Sequence, residues 1–164
     1  EEWNQAKGFY EEILVIDPNL EEVKESLNRV ESRILLDAEM TSIIARSDAY
    51  NDNKVLGQAQ ALLETAKSIE RIGPKLEQSI QKLDSLIRIA LIPIDVIFES
   101  DQLTEVTIFK VDQMGMFQQK IVSLRPGIYT ARGSRKGFKD ETIRFRVDPN
   151  KQNQRVRIIC NKKI

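Results

Sequence analysis

No histidine occurs among the 164 residues, and cysteine occurs once. Histidine is the commonest general base near neutral pH and the commonest metal ligand, so the chain lacks the side chain most often used in acid–base and metal-dependent catalysis. A lone cysteine forms no disulfide within the chain, which leaves the redox compartment open. Cys160 alternates with Val156 and Ile158, and this pattern predicts a small buried side chain rather than a nucleophile. We therefore expect no enzyme, no catalytic residue, no cofactor and no bound metal.

Long apolar runs are also missing. The best candidate, 86–98, is interrupted by Arg88, Pro93 and Asp95, and it falls short of the roughly 18 residues of a spanning helix. The chain starts at Glu1 in what reads as the middle of a helix, without Met and without a charged-then-apolar leader. We expect any membrane anchor to lie outside this fragment. The composition, 41% hydrophobic and 30% charged, is that of a folded chain.

Net charge is absent overall but differs between the two halves. Residues 1–92 carry 17 acidic and 11 basic residues, a balance of −6, whereas residues 93–164 carry 8 and 14, a balance of +6. Ordinary solvation of both surfaces is the favoured interpretation. The alternatives are docking of the basic half on the acidic half, and an external anionic partner.

The first half shows apolar residues at helical spacing. A helix from Trp3 ends before Pro18, and a second, capped by Asn19, is predicted to run to about Ser47. Its expected apolar stripe comprises Leu20, Val23, Leu27, Val30, Ile34, Thr41 and Ile44. Two further helices are predicted over 54–72 and 74–90, because Gly73 ends the first and Pro74 begins the second. Short connections between long helices favour an antiparallel bundle.

The period changes from 3.6 to 2 near Ile92 and Pro93. Six alternating segments follow, at 94–98, 106–109, 117–124, 128–132, 142–147 and 155–160, with Gly, Pro, Asn or Asp between them. This spacing is typical of a small antiparallel β-sandwich. The sequence thus predicts an α+β chain, with a helical domain at 1–92 and a six-stranded β-sandwich at 93–164.

The first helix resembles the second helix of a tetratricopeptide repeat. The resemblance rests on Trp3, Ala6, Tyr10, Leu14 and 17–19, that is, an aromatic, a small residue, a second aromatic, a leucine and an Asp-Pro-Asn turn. The match covers residues 3–19, about half of one repeat. It implies that this helix ends a helical-repeat segment, with more repeats before Glu1, and that the three helices after it form the bundle. An ordinary amphipathic helix with a proline stop is the alternative.

The tail resembles the PEGA family, which comprises small β-sandwich modules of bacterial surface and envelope proteins. The matching residues are Leu124, Pro126-Gly127, Tyr129 and Gly137-Phe138, in which Pro126 fixes φ and Gly127 can adopt positive φ. The resemblance covers most of 94–160 but is divergent, because 100–105 replaces the name-giving Pro-Glu-Gly-Ala turn. It implies a non-enzymatic accessory module outside the cytoplasm. Another immunoglobulin-like sandwich with a Pro-Gly turn is the alternative.

Basic residues are concentrated in the predicted sandwich. Alternation places Arg144 and Arg146 on one strand face, and Arg155 and Arg157 on another, so a continuous basic surface would form if those strands were neighbours. Thr142 and Gln154 lie beside them, and the absence of an aromatic platform argues against nucleic acid. A charge-protected sheet edge is the alternative. The candidate contact residues for a polyanion or partner are Arg132, Arg135, Lys136, Arg144, Arg146, Arg155 and Arg157.

These features favour an interaction or scaffold module of a bacterial cell-envelope protein. The expected partners are other proteins, or further copies of the chain bound through the long helices. The alternative function is binding of a polyanion, such as an acidic glycan, a lipid head group or nucleic acid, by the basic face. The expected location is the periplasm or cell envelope, with the cytoplasm as the alternative.

Overall fold

The computed structural model describes residues 2–70 and 73–164, and in these it is α+β with four α-helices and seven strands. The helices are α1 (Trp3–Ile16), α2 (Glu21–Ala45), α3 (Asn53–Lys67) and α4 (Pro74–Leu91), with one 3₁₀ turn at Ser47–Ala49. The strands are β1 (Ile94–Glu99), β2 (Glu105–Ile108), β3 (Asp112–Met116), β4 (Gln119–Leu124), β5 (Gly127–Ser134), β6 (Glu141–Val147) and β7 (Gln154–Arg157).

The chain divides into two compact units. The helical unit comprises Glu1–Arg46 and Gly57–Leu86, and the sandwich unit comprises Ser47–Leu56 and Ile87–Ile164. This division differs from the limits expected from the sequence, 1–92 and 93–164. The change of secondary structure does lie between the end of α4 and the start of β1. However, the segment that joins α2 to α3 makes its contacts with the strands.

The helix ends follow local side-chain chemistry. α1 ends before Pro18 as predicted, with Asp17 in extended conformation. The predicted cap at Asn19 is wrong: Leu20 occupies the cap position of α2 and no side chain bonds there. Asn19 instead donates its backbone N–H to the carboxylate of Asp17 at 3.0 Å, which holds it in an Asx turn. α3 ends at Lys67, earlier than predicted, and the predicted end at Ile72 lies outside the described residues.

The buried face of α2 differs from the predicted stripe. Of the predicted residues only Val30 is buried, whereas Leu20 and Thr41 are exposed. The buried set is Val30, Arg33, Leu36, Met40 and Ile43. Both stripes advance in steps of three and four, so periodicity cannot decide which one faces the neighbouring helices. α4, predicted over 74–90, has four buried apolar residues at helical spacing, Leu76, Leu83, Ile87 and Ala90.

The strands form two sheets, with orders β4-β1-β7 and β3-β2-β5-β6 in the part of the chain that the structure describes. The expected count of six strands is therefore wrong by one. The missed strand, β3, is short, and its pairing with β2 shifts register between Val106 and Thr107, with Gly115 at φ 71°. A bulged strand breaks the period of two that sequence reasoning relies on. The pairing is also not wholly antiparallel, because β1 and β7 run parallel.

The sandwich core follows the alternation of the strands. In β6 the predicted common face of Arg144 and Arg146 is confirmed, because both are exposed. On the other face, Val147 is buried and Ile143 and Phe145 pack against the core. The core residues are Val96, Phe98, Val106, Ile108, Met114, Leu124, Tyr129, Ala131, Val147, Val156 and Ile158. Cys160 is a buried free thiol, as its alternating position predicted.

Candidate functional site

The predicted basic surface is divided between the two sheets. Arg144 and Arg146 lie on β6, in the four-stranded sheet, whereas Arg155 and Arg157 lie on β7, in the three-stranded sheet. The condition that these strands be neighbours is not met, so the four arginines do not share one continuous sheet surface. Sequence alternation gives the face of each strand but not its sheet, because strand order depends on contacts between distant residues.

Acidic side chains pair with four of the seven candidate basic residues. Arg146 pairs with Asp48 at 2.6 Å, Arg155 with Glu99 at 2.8 Å and Arg135 with Asp101 at 3.2 Å. Arg132 pairs with Asp140, and this hydrogen bond is the main reason that the pKa of Asp140 lies below its usual value. Within the described residues, the candidates without an acidic partner are Lys136, Arg144 and Arg157.

Asp101 organises the turn that departs from the PEGA pattern. Its carboxylate accepts the backbone N–H groups of Leu103 at 3.0 Å and Thr104 at 2.8 Å, and it pairs with Arg135. The guanidinium of Arg135 also lies 4.2 Å from the ring centroid of Phe138. Burial, the largest single influence, raises the pKa of Asp101, but the two N–H groups, the hydroxyl of Thr104 and the charge of Arg135 together outweigh it and lower that pKa.

The lowered pKa of Asp101 predicts a loss of stability in acid. A carboxyl group whose pKa is lower in the folded state stabilises the fold above its unfolded pKa of about 3.9 and loses that contribution as the pH falls through its folded pKa. In Asp101→Asn the unfolding free energy of the sandwich unit should therefore depend less on pH below about pH 4. Urea unfolding at a series of pH values measures this. An unchanged acid slope would contradict the role of Asp101, and the exposed Asp112→Asn serves as control.

The segment that connects α2 to α3 packs on the strands of its own unit. Tyr50 is fully buried. Asn51 donates from its side-chain amide to the carbonyl of Ile128 at 2.8 Å. Arg125 donates to the backbone carbonyl of Asn51 at 3.0 Å and to the side chain of Asn53 at 2.6 Å. These partners lie more than 70 positions apart in sequence, so no local sequence pattern predicts their hydrogen bonds.

The Pro126-Gly127 turn lies against the side chain of Asn51. Gly127 has φ 150°, so the predicted positive φ is confirmed. A Cβ on Gly127 would lie 2.6 Å from Cγ of Asn51, closer than atoms can approach without movement. Tyr129, two residues on, donates its hydroxyl to the carbonyl of Arg125 at 2.9 Å and stacks on Phe145 with centroids 5.7 Å apart. The Pro-Gly motif that predicted a sandwich therefore also contacts the 47–56 segment.

The helical unit contains a groove of about 600 Å³ along α1 and α2. Its walls include Trp3 and Tyr10 from α1, and Arg29, Val30 and Arg33 from α2. The guanidinium carbon of Arg33 lies 5.4 Å from the ring centroid of Trp3. Sequence reasoning named Trp3 and Tyr10 as part of the tetratricopeptide resemblance but did not identify the groove, because that requires the pairing of α1 with α2.

A second feature of the helical unit is an exposed apolar face on α1. Phe9, Ile13 and Ile16 follow one another at steps of four and three, which aligns them on one side of the helix. Their exposed fractions are 64%, 39% and 85%. We refer to these three residues as the α1 stripe. It lies beside Ala6 and Tyr10, which are half-buried.

No group of three or more cysteine, aspartate and glutamate side chains within 2–70 and 73–164 is arranged to hold a metal ion. Among the helices of that same part of the chain, none is long and apolar enough to cross a lipid bilayer. We found no protein-family model and no curated protein that matches this chain.

Proposed function

We propose that this chain is a non-enzymatic protein-interaction or scaffold module, and that the α1 stripe is its principal contact surface. The supporting observation is the exposure of Phe9, Ile13 and Ile16 together on one helix face. Single exposed apolar residues are ordinary, but an aligned apolar face commonly marks an interface. The helix thus has apolar surface on two sides, one packed against α2 and one open.

The finer architecture forms part of the same proposal. The helical unit is the end of a tetratricopeptide-like repeat segment, with α2, α3 and α4 as an antiparallel bundle, and the sandwich unit is a divergent PEGA-like domain. In repeat arrays each unit buries its apolar surface against the next, and the two-sided apolar surface of α1 fits this arrangement. Gly127 and Gly137, at φ 150° and 82°, fit the turns of the PEGA pattern. By that resemblance we place the protein in a bacterial periplasm or cell envelope.

Crosslinking from the α1 stripe tests the contact surface. A photo-crosslinking residue at Phe9 of the intact protein, in its own cells, should give a discrete product with another helical segment or a second copy. In Ile16→Lys this product should disappear, because a charge in the stripe opposes burial. Unfolding free energy should change by no more than about 0.5 kcal/mol, because the site is exposed.

Val15 provides the matched control for this experiment. It is adjacent in sequence and 83% exposed, but it lies on a different side of α1, so Val15→Lys should leave the crosslink intact. Loss of the product in both variants, or in neither, would refute the stripe as the contact surface.

Polyanion binding is a second candidate, now favoured by a different cluster. An isolated antiparallel bridge pairs Phe138 with Lys163, and the backbone N–H of Lys139 donates to the carbonyl of Lys162 at 2.7 Å. These pairings bring Lys162 and Lys163 next to Lys136 and Lys139. Retention on a heparin column should then fall steeply with salt. The double variant Lys139→Glu, Lys163→Glu should abolish retention on the column, whereas Arg157→Glu should preserve it. If the double variant and Arg157→Glu reduced retention equally, the lysine cluster would be excluded as the polyanion site.

A further inference from the structure

The lysine cluster lies at one end of the β-sandwich. β5 ends just before 135–140, β7 ends just before 158–164, and 100–104 joins β1 to β2. The backbone N–H of Cys160 donates to the hydroxyl of Thr104 at 3.1 Å, and a β-bridge joins 158–164 to 135–140. These three segments therefore meet at the same end. The cluster consists of Lys136, Lys139, Lys162 and Lys163.

The backbone register sets two lysines of the cluster opposite each other. Phe138 forms the antiparallel bridge with Lys163, and the backbone N–H of Lys139 donates to the carbonyl of Lys162 at 2.7 Å. One position along this register, Lys139 therefore lies opposite Lys162. Like charges directly opposite each other on paired segments repel. A bound anion removes this repulsion and adds charge-assisted hydrogen bonds.

Two acidic side chains at this end of the sandwich are already held by arginines. Asp101 pairs with Arg135 at 3.2 Å, and Asp140 pairs with Arg132. Within 2–70 and 73–164, no acidic side chain forms an ion pair with a lysine of the cluster. The four ammonium groups are therefore available to an external anion.

Exposed apolar side chains lie at the same end. Ile164 is 88% exposed, and its backbone N–H donates to the carbonyl of Gly137 at 3.2 Å. Leu103 is 54% exposed, and its backbone N–H donates to Asp101, the partner of Arg135. Single exposed apolar residues are ordinary. Next to a group of lysines, however, they give the combination of basic and apolar side chains that fits a lipid interface.

We propose that this end of the sandwich binds the surface of an anionic phospholipid bilayer. The ammonium groups of Lys139 and Lys162 contact lipid phosphates, and Leu103 and Ile164 enter the boundary between the head groups and the acyl chains. The inference deepens the polyanion candidate and rests on it, because it uses the same lysine cluster and names the partner.

The surroundings of the cluster favour a lipid surface over other polyanions. Bases of single-stranded nucleic acid stack on accessible aromatic rings. Phe138 is half-buried, and its ring faces the guanidinium of Arg135 with 4.2 Å between the guanidinium carbon and the ring centroid. An acidic glycan has no apolar layer in which Leu103 and Ile164 could be buried, whereas a bilayer has one.

Flotation with lipid vesicles tests the role of charge. The intact protein is mixed with vesicles of phosphatidylcholine alone, or with vesicles that contain about 30% phosphatidylglycerol. We expect binding to the anionic vesicles alone, and this binding should weaken as salt is added. In the double variant Lys139→Gln, Lys162→Gln the affinity should be about 30-fold weaker, which corresponds to about 1 kcal/mol for each lysine.

The matched control removes two positive charges elsewhere in the sandwich unit. Arg144 lies on β6, and Lys151 lies in the loop between β6 and β7, at the other end of the strands. Because both are exposed and distant in the fold from the lysine cluster, Arg144→Gln, Lys151→Gln should bind anionic vesicles like the parent. Urea unfolding verifies that each variant remains folded.

A second pair of variants tests the apolar contact. Leu103→Asn, Ile164→Asn should weaken vesicle binding about tenfold and leave retention on heparin unchanged, because only a bilayer buries these side chains. Phe109 and Val111, in the hairpin between β2 and β3, are 47% and 46% exposed. Phe109→Asn, Val111→Asn should therefore leave vesicle binding and heparin retention unchanged.

Several outcomes would overturn the proposal. These are equal binding to neutral and anionic vesicles, or parental affinity in either the lysine or the Leu103 and Ile164 double variant. Retention on heparin without binding to anionic vesicles would refute the lipid surface alone and leave the polyanion candidate standing. Loss of both would refute both. The crosslink from Phe9 reports on the helical unit, so its result is independent of this one.

Discussion

Replacement of Gly127 by alanine is expected to destabilise the sandwich unit by about 3 kcal/mol, from backbone strain and a steric conflict acting together. The strain arises because φ is 150° at this position, a conformation that residues with a Cβ rarely adopt. The conflict arises because the new Cβ would lie 2.6 Å from Cγ and 2.8 Å from Cβ of Asn51. Asn51 cannot move aside without losing its hydrogen bond to Ile128. Hydrogen exchange of β5 and β6, read separately from the helices, measures the effect.

An alanine substitution at Gly137 distinguishes backbone strain from steric conflict. It also has positive φ, 82°, but a Cβ there would meet nothing within 4 Å. Gly137→Ala should therefore show the strain alone, about 1–2 kcal/mol. In the Gly127→Ala background, Asn51→Gly should recover part of the loss, because it removes the conflicting atoms. If the two alanine variants cost the same, the close approach of Asn51 is not what requires glycine at position 127.

Phe98→Ala is expected to cost about 4 kcal/mol, the largest effect of any single substitution considered for this chain. Phe98 is fully buried on β1, and its ring meets that of Phe145 edge to face, with centroids 5.5 Å apart. Truncation removes this contact and leaves a cavity between the two sheets, which close packing cannot fill. Urea unfolding followed by circular dichroism in the β region gives the change in unfolding free energy.

The neighbouring residue on the same strand is the control. Ile97 points to the opposite face of β1 and is half-buried, so Ile97→Ala should cost about 1 kcal/mol. This contrast depends only on the alternation of the strand. Similar losses for the two variants would mean that the core does not lie between the sheets where Phe98 and Phe145 meet.

Local patterns were sufficient for several elements. α1 ends before Pro18, α4 begins at Pro74 directly after Gly73, and the period of two in β6 gave the correct inner and outer faces. Each of these depends on neighbours within a few positions, through backbone geometry and alternation. The failures have a different origin. β3 contains a bulge, and α2 carries two apolar stripes, of which only packing selects one.

The candidate sites show the same division. The sequence identified the basic residues of the strands, and it singled out Trp3 and Tyr10 through the tetratricopeptide resemblance. It could not show that β6 and β7 belong to different sheets, that Asp48 and Glu99 would neutralise Arg146 and Arg155, or that α1 and α2 enclose a groove. In each case the decisive partner is distant in sequence or depends on the side by which two helices meet.

The absence of histidine, the solitary cysteine and the change of period near Pro93 are properties of the sequence by itself. The change of period determined the α+β class, and the absence of histidine excluded histidine-based chemistry. Local periodicity suffices for the first conclusion and residue type for the second. The sheet to which each arginine belongs, the contact of Asn51 with Gly127, and the meeting of Trp3 with Arg33 were decided by the tertiary structure alone. Those features arise from pairings between distant segments, whose selection depends on the packing of the whole unit and not on any local preference.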